Sequence, residues 1–293
     1  MSGRFAPSPT SDLHLGNLRT ALLAWLFARS TGRKFLIRIE DLDQVRVAAA
    51  AGVAERQLAD LTALGIDHDG EVVRQSERLA LYEAALGTLE TYECYCSRQD
   101  IAESAQAPHG DGYRPYPGTC RDLSEDERAV RRARRPAAQR VRAGGVSWTV
   151  TDGLYGQVTG VVDDFVLRRG DGTYAYNLAV VVDDGEQRVD QVVRGDDLLS
   201  SAPRQAWLAR RLGLAQPVYA HVPLAVNRDG RRLAKRDGAV TLADLAAEGV
   251  TPDEVLARIA TSLGLAGPHE RISTAVFLER FDPAALPRDP WVV

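Results

Sequence analysis

The hydrophobic and polar positions of the first forty residues follow the order that a βαβ unit requires. A short apolar strand ends near Phe5, Pro7 and Pro9 interrupt the chain, and a long apolar run begins after His14. A second apolar strand, 35–39, then leads into acidic residues. Because proline breaks regular structure and a long apolar run suits a buried helix, the pattern predicts strand, turn, helix and strand.

Helical and strand-like patterns recur along the rest of the chain. The predicted helices cover 53–64, 76–91 and 202–212, followed by short amphipathic helices at 242–247 and 252–263. Strand-like patterns cover 146–150, 155–162, 165–167, 174–184, 191–195 and 218–226. The chain after the last helix is expected to be irregular and punctuated by proline. The mixture predicts an α/β fold.

Composition limits the class of protein. With 293 residues and 45% apolar content, the chain can bury a large core, which suits one main domain with a smaller insertion. It has no apolar run of about eighteen residues and no charged leader before the first strand, so we expect a cytoplasmic protein without a membrane segment. The three cysteines, Cys94, Cys96 and Cys120, are too few for a disulfide framework and indicate metal or thiol chemistry.

Positive charge is unevenly distributed. The net charge is −4, yet seven arginines fall between Arg128 and Arg142, enough to contact several phosphates. A solvated helix face explains the same run equally well. The chain has 34 arginines and only two lysines, Lys34 and Lys235. A lysine kept where arginine is otherwise used suggests a need for a compact, flexible ammonium group.

The start of the first predicted helix has the chemistry of an anion site. Unpaired N–H groups and a partial positive charge at a helix N-terminus attract phosphate. Gly16 removes a side chain that would block close approach, and His14 offers a donor for charge on a phosphate oxygen. Such a His-x-Gly is more often a simple capped turn, so this motif needs a second observation.

The second observation lies downstream, where Arg232-Leu233-Ala234-Lys235-Arg236 occupies a Gly- and Arg-rich loop, 227–238. The order and separation of the two motifs resemble the class I aminoacyl-tRNA synthetases, and among them the glutamyl-type enzymes. These enzymes carry two signature motifs, known as "HIGH" and "KMSKS". The corresponding residues in this chain are His14–Asn17 and 232–236. The resemblance covers residues 4 to about 245.

The resemblance implies a Rossmann-like catalytic domain with a small zinc-binding insertion and a short helical C-terminal segment. The expected organisation is listed in chain order: 1–93, first half of the nucleotide-binding domain; 94–145, zinc-binding and Arg-rich insertion; 146–240, second half with the signature loop; 241–293, short helical segment without an anticodon-binding domain. We expect a monomer.

The cysteines suggest one structural zinc, with free thiols as the alternative. Three thiolates leave a fourth ligand to find among His109, Tyr113 and Tyr116. Imidazole is the commoner zinc ligand, which favours His109. The resemblance implies Tyr116 instead, because short glutamyl-type synthetases place a tyrosine four residues before the last cysteine. The implied ligand set is Cys94, Cys96, Tyr116 and Cys120.

The resemblance also implies roles for individual residues. ATP, with Mg, would be bound at the two signatures, and Lys235 would reach the triphosphate as the adenylate forms. L-Glutamate would be held by a pocket with one carboxylate and two guanidinium groups, which compensates its charges. The residues implied are His14, Gly16, Asn17 and Lys235 for ATP; Arg4, Ala6 and Ser8 lining the amino-acid pocket; Glu40 for the ammonium group; and Tyr176 and Arg194 for the carboxyl groups.

Some positions depart from the family pattern. Arg232 and Ala234 replace the usual lysine and serine of the second signature, and Asn17 ends the first. Val180 stands where full-length glutamyl enzymes commonly have asparagine. Because Lys235 is kept, the sequence still predicts activity.

The short chain after the second signature distinguishes two branches of the family. Glutamyl-tRNA synthetases continue into a long helical anticodon-binding region, whereas 57 residues follow Arg236 here. The chain therefore resembles the truncated branch, the glutamyl-queuosine tRNA(Asp) synthetases, which attach glutamate to the modified wobble base. The expected RNA partner is the queuosine-containing anticodon stem-loop of tRNA(Asp). The alternatives are a truncated enzyme that charges a tRNA 3′ end, and an inert RNA-binding module.

Overall fold

The computed structural model describes residues 1–97, 99–101, 115–231, 233, 240–267 and 270–293. Its strands, in chain order, are β1 (Ser2–Phe5), β2 (Lys34–Ile39), β3 (Val73–Arg74), β4 (Thr91–Cys94), β5 (Ala138–Val141), β6 (Val146–Asp152), β7 (Gly156–Val162), β8 (Val166–Arg168), β9 (Val189–Gly195), β10 (Val218–Val222), β11 (Ala225–Val226) and β12 (Trp291–Val292).

The α-helices are α1 (Leu15–Arg29), α2 (Gln44–Ala48), α3 (Val53–Ala63), α4 (Leu79–Gly87), α5 (Glu125–Arg132), α6 (Tyr176–Glu186), α7 (Ala202–Arg211), α8 (Leu242–Ala247), α9 (Pro252–Ser262) and α10 (Thr274–Arg280). None of the helices in the described ranges combines the length and hydropathy that a bilayer-spanning helix requires.

The main sheet has seven strands in the order β3-β2-β1-β9-β10-β6-β7. All neighbours pair in parallel except β6 and β7, which form an antiparallel hairpin at one edge. The strand order reverses direction around β1 and β9, as expected for a doubly wound sheet that binds its ligand at the carboxyl ends of these strands. The predicted α/β fold is confirmed.

Helix α1 lies at the centre of the core. Apolar side chains surround it on nearly every side, and Leu18, Leu22 and Leu26 are fully buried. A helix that is apolar all round is stable only when covered on every face. Strands β1 and β2 cover one side, while the C-terminal helices contribute Ile259 and Phe277 to the same cluster.

Helix α6 corrects the predicted strand at 174–184. The run of valines, Val180 to Val182, favours strand by local propensity, but residues 176–186 form a helix. The helix is buried from Leu178 to Asp184 and packs against α4, α7 and β9. Because a continuously apolar run carries no clear period, only tertiary packing decides between strand and helix here.

Two further boundaries differ from the prediction. The predicted helix 76–91 is shorter, because a 3₁₀ turn, Gln75–Glu77, precedes α4 and strand β4 starts at Thr91. Strands β4, β5 and β8 form a separate antiparallel sheet.

The prediction of an irregular C-terminal chain is wrong in part, because this segment contains α10, and β12 pairs in parallel with β11. Phe277 and Leu286 anchor this segment in the main core.

Candidate active site

A cleft of about 960 Å³ opens at the carboxyl ends of β1, β9 and β10. The loop after β1 supplies one wall, and the residues that end or follow β9 and β10 supply the other. Sequence-predicted residues on its surface are Ala6, Ser8, His14, Asn17 and Arg194, and further lining residues include Gln57, Asp197, Leu224, Arg231 and Leu233. The structure therefore brings the first signature and Arg194, far apart in sequence, to one site.

The first signature caps α1 with its own side chains. The backbone N–H of Asn17 donates to His14 Nδ1 at 3.2 Å, and the His14 N–H donates to Asn17 Oδ1 at 3.3 Å. Because Nδ1 accepts, a neutral imidazole carries its proton on Nε2 and can act there as a donor. Asn17, a departure from the family pattern, is explained by this reciprocal capping arrangement.

Gly16 has a packing role in addition to the predicted ligand access. A Cβ at this position would lie 2.9 Å from Ala225 Cβ and 3.0 Å from His14 Cε1. Glycine therefore lets the first turn of α1 approach β11 while the His14 ring folds over it.

The described part of the second signature and the chain that follows it lie beside the first signature. Leu233, within the second signature, lines the cleft. After the signature, Val240 O accepts from Leu15 N–H at 3.1 Å, and Thr241 forms an isolated β-bridge with His14. Lys235, Arg232 and Ala234 lie outside the described residues.

Arg194 is buried in the wall of the cleft, and its hydrogen bonds to other described residues all go to neutral groups. Its Nε bonds His221 at 3.0 Å, its Nη1 bonds Gln205 at 2.7 Å and Tyr176 at 3.2 Å, and its Nη2 bonds the Leu198 carbonyl at 3.3 Å. These contacts use four of the five N–H groups of the guanidinium. A buried cation whose hydrogen bonds go to neutral acceptors favours an anionic ligand.

Arg4 and Glu40 lie behind the cleft in a paired network. Arg4 Nε lies 3.2 Å from Asp184 Oδ1, and Arg38 lies 2.9 Å from the same oxygen and 3.4 Å from Glu40 Oε1. Burial alone would raise the pKa of the Asp184 carboxyl, but Arg4 and Arg38 hold it below its usual range. Burial raises the pKa of Glu40 in spite of Arg38 and Arg4. The charge of Arg4 is therefore already balanced.

Several residues that shape the site were missed by the sequence analysis. Asp183 accepts from Gln75, Arg78 and Tyr82, and so fixes α6 beneath the site. Gln57 donates to the Ser8 and Ser11 carbonyls and so orders the loop after β1. The only sequence signal was the Asp183-Asp184 pair ending an apolar run, because a buried acid requires a partner.

Tyr176 and Val180 lie on α6. The Tyr176 hydroxyl accepts from Arg194, while its ring lines a smaller pocket of about 320 Å³ beside Phe165 and Arg204. Val180 is buried in the core cluster formed by α4, α6 and α7. The departure from asparagine thus places an apolar side chain in an apolar environment.

The three cysteines converge at the end of β4. Their Sγ atoms lie within 4.8 Å of one another, with Cys96 and Cys120 3.6 Å apart. The Tyr116 hydroxyl lies 3.5 Å from Cys94 Sγ and 3.9 Å from Cys96 Sγ. Tetrahedral zinc with three sulfur ligands and one oxygen ligand requires edges of roughly 3.5 to 3.8 Å, so these four side chains fit the ion. His109 and Tyr113 lie outside the described residues.

The arginines from Arg128 to Arg142 do not form one uniform surface. Arg140 is buried with its guanidinium 3.7 Å from the centre of the Tyr116 ring. Arg132 pairs with Glu93 and Glu125, and Arg142 pairs with Glu90 and Asp122. Arg131, Arg134 and Arg135 instead line a surface groove of about 510 Å³ beside Tyr95. Three acidic residues, Asp100, Asp126 and Glu127, line the same groove, and Arg128 lies 3.8 Å from Glu125, so the phosphate contacts stay a prediction.

Residues 1–292 match the family model described as tRNA synthetases class I (E and Q), catalytic domain. The chain belongs to this family. It is a ligase of the glutamyl-tRNA synthetase type, and the fold and family predicted from the two signatures are confirmed.

Two relatives and one solved structure support the same family assignment. A glutamyl-Q tRNA(Asp) synthetase from Nocardia farcinica is 61% identical over 297 residues, covering 100% of this chain and 93% of that protein. One from Cutibacterium acnes is 54% identical over 296 residues, covering 97% and 85%. The crystal structure of a glutamate tRNA ligase from Elizabethkingia meningosepticum, in complex with its amino acid, matches with a TM-score of 0.80 and 27% identity. The match covers 99% of this chain and 66% of that one.

Proposed function

We propose that the protein activates L-glutamate with ATP, without tRNA, and transfers the glutamyl group to queuosine at the wobble position of tRNA(Asp). The observation that carries the proposal is Arg194, a buried guanidinium with neutral hydrogen-bond partners on the wall of a cleft whose other wall holds the first signature. A carboxylate ligand would supply the missing negative charge.

The activation step fits the first signature. One α-carboxylate oxygen of glutamate attacks the α-phosphorus of ATP, and pyrophosphate leaves. His14, through Nε2, and the N–H groups of the first turn of α1 would stabilise the phosphate charge, with Gly16 and Asn17 shaping the turn. Mg would accompany ATP. Lys235, which follows the cleft-lining Leu233 closely in sequence, would hold oxygens of the triphosphate that leave as pyrophosphate.

The amino-acid pocket would use charges of both signs. Arg194 and Tyr176 would hold carboxyl groups of glutamate, Glu40 would take the ammonium group, and Ala6 and Ser8 would line the pocket. Arg4, whose guanidinium is already paired with Asp184, would support this wall of the pocket from behind. Arg194 would thus compensate one carboxylate of glutamate, and Glu40 would compensate its ammonium group.

The transfer step proposed for the RNA follows the names of the similar proteins. A hydroxyl oxygen of the queuosine cyclopentenediol attacks the glutamyl carbonyl carbon and gives up its proton. The bond from that carbon to the phosphate oxygen breaks, and AMP leaves with the electron pair. Arg131, Arg134 and Arg135 would contact phosphates of the anticodon stem-loop.

Zinc would be held by Cys94, Cys96, Tyr116 and Cys120. Its role would be structural, since all four ligands come from the chain and none is left for a substrate. The ion would join the end of β4 to the turn at Cys120.

The deciding experiment separates activation from transfer. Pyrophosphate exchange that requires glutamate and proceeds without tRNA is expected. In the second step, labelled glutamate should appear on queuosine-containing tRNA(Asp) or its isolated stem-loop, and not on the same RNA with unmodified guanosine. The Arg134→Glu/Arg135→Glu variant should weaken transfer, whereas Arg210→Glu on the exposed end of α7 serves as the matched control. Label on the 3′-terminal adenosine of tRNA(Glu) alone would contradict the proposal.

A further inference from the structure

Two buried side chains on the neighbouring strands β10 and β6 lie beside Arg194. His221, on β10, receives the Nε–H of Arg194 at its Nε2, and its Nδ1 lies 2.7 Å from Asp152 Oδ2 at the end of β6. Both His221 and Asp152 are almost completely buried, with 0% and 2% of their surface exposed. The three residues form a continuous line, which we call the Asp152–His221–Arg194 relay, across three adjacent strands.

The relay allows only one form of the imidazole. Arg194 cannot accept a hydrogen bond, so Nε2 of His221 must carry a lone pair. Asp152 accepts from three backbone N–H groups, those of Leu154, Tyr155 and His221, so its carboxylate acts only as an acceptor. His221 Nδ1 must therefore carry the proton and donate it. The neutral Nδ1–H tautomer satisfies every contact.

The surroundings of His221 support the neutral form. The titratable and charged groups that face it are Arg194 on β9, Asp152 on β6, Asp196 in the 3₁₀ helix after β9, and Tyr219, whose ring stacks at 5.9 Å. Burial lowers the pKa of His221, and Arg194 lowers it further against the opposing effect of Asp152. A second proton on Nε2 would point at the Arg194 Nε–H.

We propose that His221 and Asp152 are positioning residues, which hold the Arg194 guanidinium in the orientation that binds a carboxylate of the amino-acid substrate. The inference rests on the proposed function, in which Arg194 contacts glutamate. His221 Nε2 is a neutral acceptor for the Nε–H of Arg194, so the positive charge of the guanidinium is left for the ligand. A carboxylate in place of His221 would instead neutralise that charge.

The test compares Michaelis constants in pyrophosphate exchange. His221→Leu removes the acceptor, and Asp152→Asn offers an amide N–H that reverses the tautomer. Each should raise the KM for glutamate roughly tenfold or more, with the KM for ATP nearly unchanged, as expected for loss of a substrate-binding contact. His221→Gln restores an acceptor and should recover part of the affinity. His68→Leu, in an exposed loop, is the matched control.

A measurement on the unaltered protein tests the imidazole tautomer directly. Nitrogen-15 NMR of histidine-labelled protein, with the His221 signals identified by their absence in His221→Gln, should show a neutral Nδ1–H imidazole at pH 7. Acidification should raise the KM for glutamate as His221 gains a proton, and His221→Gln should lack that component.

The outcomes separate this inference from the proposed function. If Arg194→Ala raises the KM for glutamate but His221→Leu and Asp152→Asn leave it unchanged, the relay is wrong and the glutamate pocket stands. An Nε2–H or doubly protonated His221 at pH 7 would also overturn the relay. If Arg194→Ala itself has no effect on the KM for glutamate, the pocket assignment fails first.

Discussion

The backbone N–H of Leu15 donates to the carbonyl oxygen of Val240 at 3.1 Å, which joins the first turn of α1 to the chain that follows the second signature. The contact brings together the first motif and the chain after the second, although the two motifs lie more than two hundred residues apart in sequence. Lys235 lies in sequence between Val240 and Leu233, and Leu233 lines the cleft.

This arrangement makes Lys235 the first residue to test. Lys235→Ala should slow glutamate-dependent pyrophosphate exchange by roughly a hundredfold or more, because it would remove the charge proposed to follow the moving phosphates. The chain offers a matched control, since its only other lysine, Lys34, lies at the exposed start of β2. Lys34→Ala should exchange at the normal rate. Normal exchange by Lys235→Ala would remove lysine from the mechanism.

Gly16 provides a test of packing. Gly16→Ala should destabilise the protein by about 1 to 3 kcal/mol, because the new methyl group would lie 2.9 Å from Ala225 Cβ. Gly87→Ala, at the end of α4 with open space around it, should be neutral or slightly stabilising. Denaturant unfolding measures both. Recovery of stability in Gly16→Ala/Ala225→Gly would identify the contact, whereas additive losses would contradict it.

The first βαβ unit could be predicted from sequence because its local signals agree. Proline ends the strand, His14 and Asn17 cap the helix, and the apolar run matches a buried helix. At 174–184 the local signal favoured strand, and packing against α7 and β9 overruled it. His221 and Asp152 could not be found in this way, since they are 69 residues apart and meet only when β6 pairs with β10.

The cysteine cluster predicts that each chain binds one metal ion. Protein purified without chelators should contain about one zinc, and Cys120→Ser should lose it and loosen the turn around Tyr116 before it affects adenylate formation. Tyr116→Phe should weaken zinc binding, because its hydroxyl lies 3.5 Å from Cys94 Sγ. Tyr95→Phe is the control, since that hydroxyl bonds Glu93 instead. Metal analysis that finds no zinc would refute the site, and full zinc in Tyr116→Phe would move the fourth ligand elsewhere.

Replacement of Glu40 by glutamine is expected to have opposite effects on stability and on substrate binding. Burial raises the pKa of this carboxyl in the folded protein, so its ionised form costs folding free energy at every pH above the unfolded pKa. This destabilisation is complete at pH values above the pKa of Glu40 in the folded protein. It disappears as the pH falls below the pKa in the unfolded chain, which is about 4.3 for a free glutamate side chain. Glu40→Gln should therefore raise the melting temperature at neutral pH, and the gain should shrink on acidification.

The same substitution should weaken glutamate binding, because an amide cannot compensate the ammonium group of the substrate as a carboxylate does. The KM for glutamate should rise while the protein becomes more stable, a combination that simple loss of structure cannot produce. Glu71→Gln, at an exposed position before β3, should change neither quantity. Calorimetry and pyrophosphate exchange on the three proteins decide the matter: a Glu40→Gln variant that is less stable at neutral pH, or that keeps its affinity for glutamate, would show that this carboxylate serves Arg38 rather than the substrate.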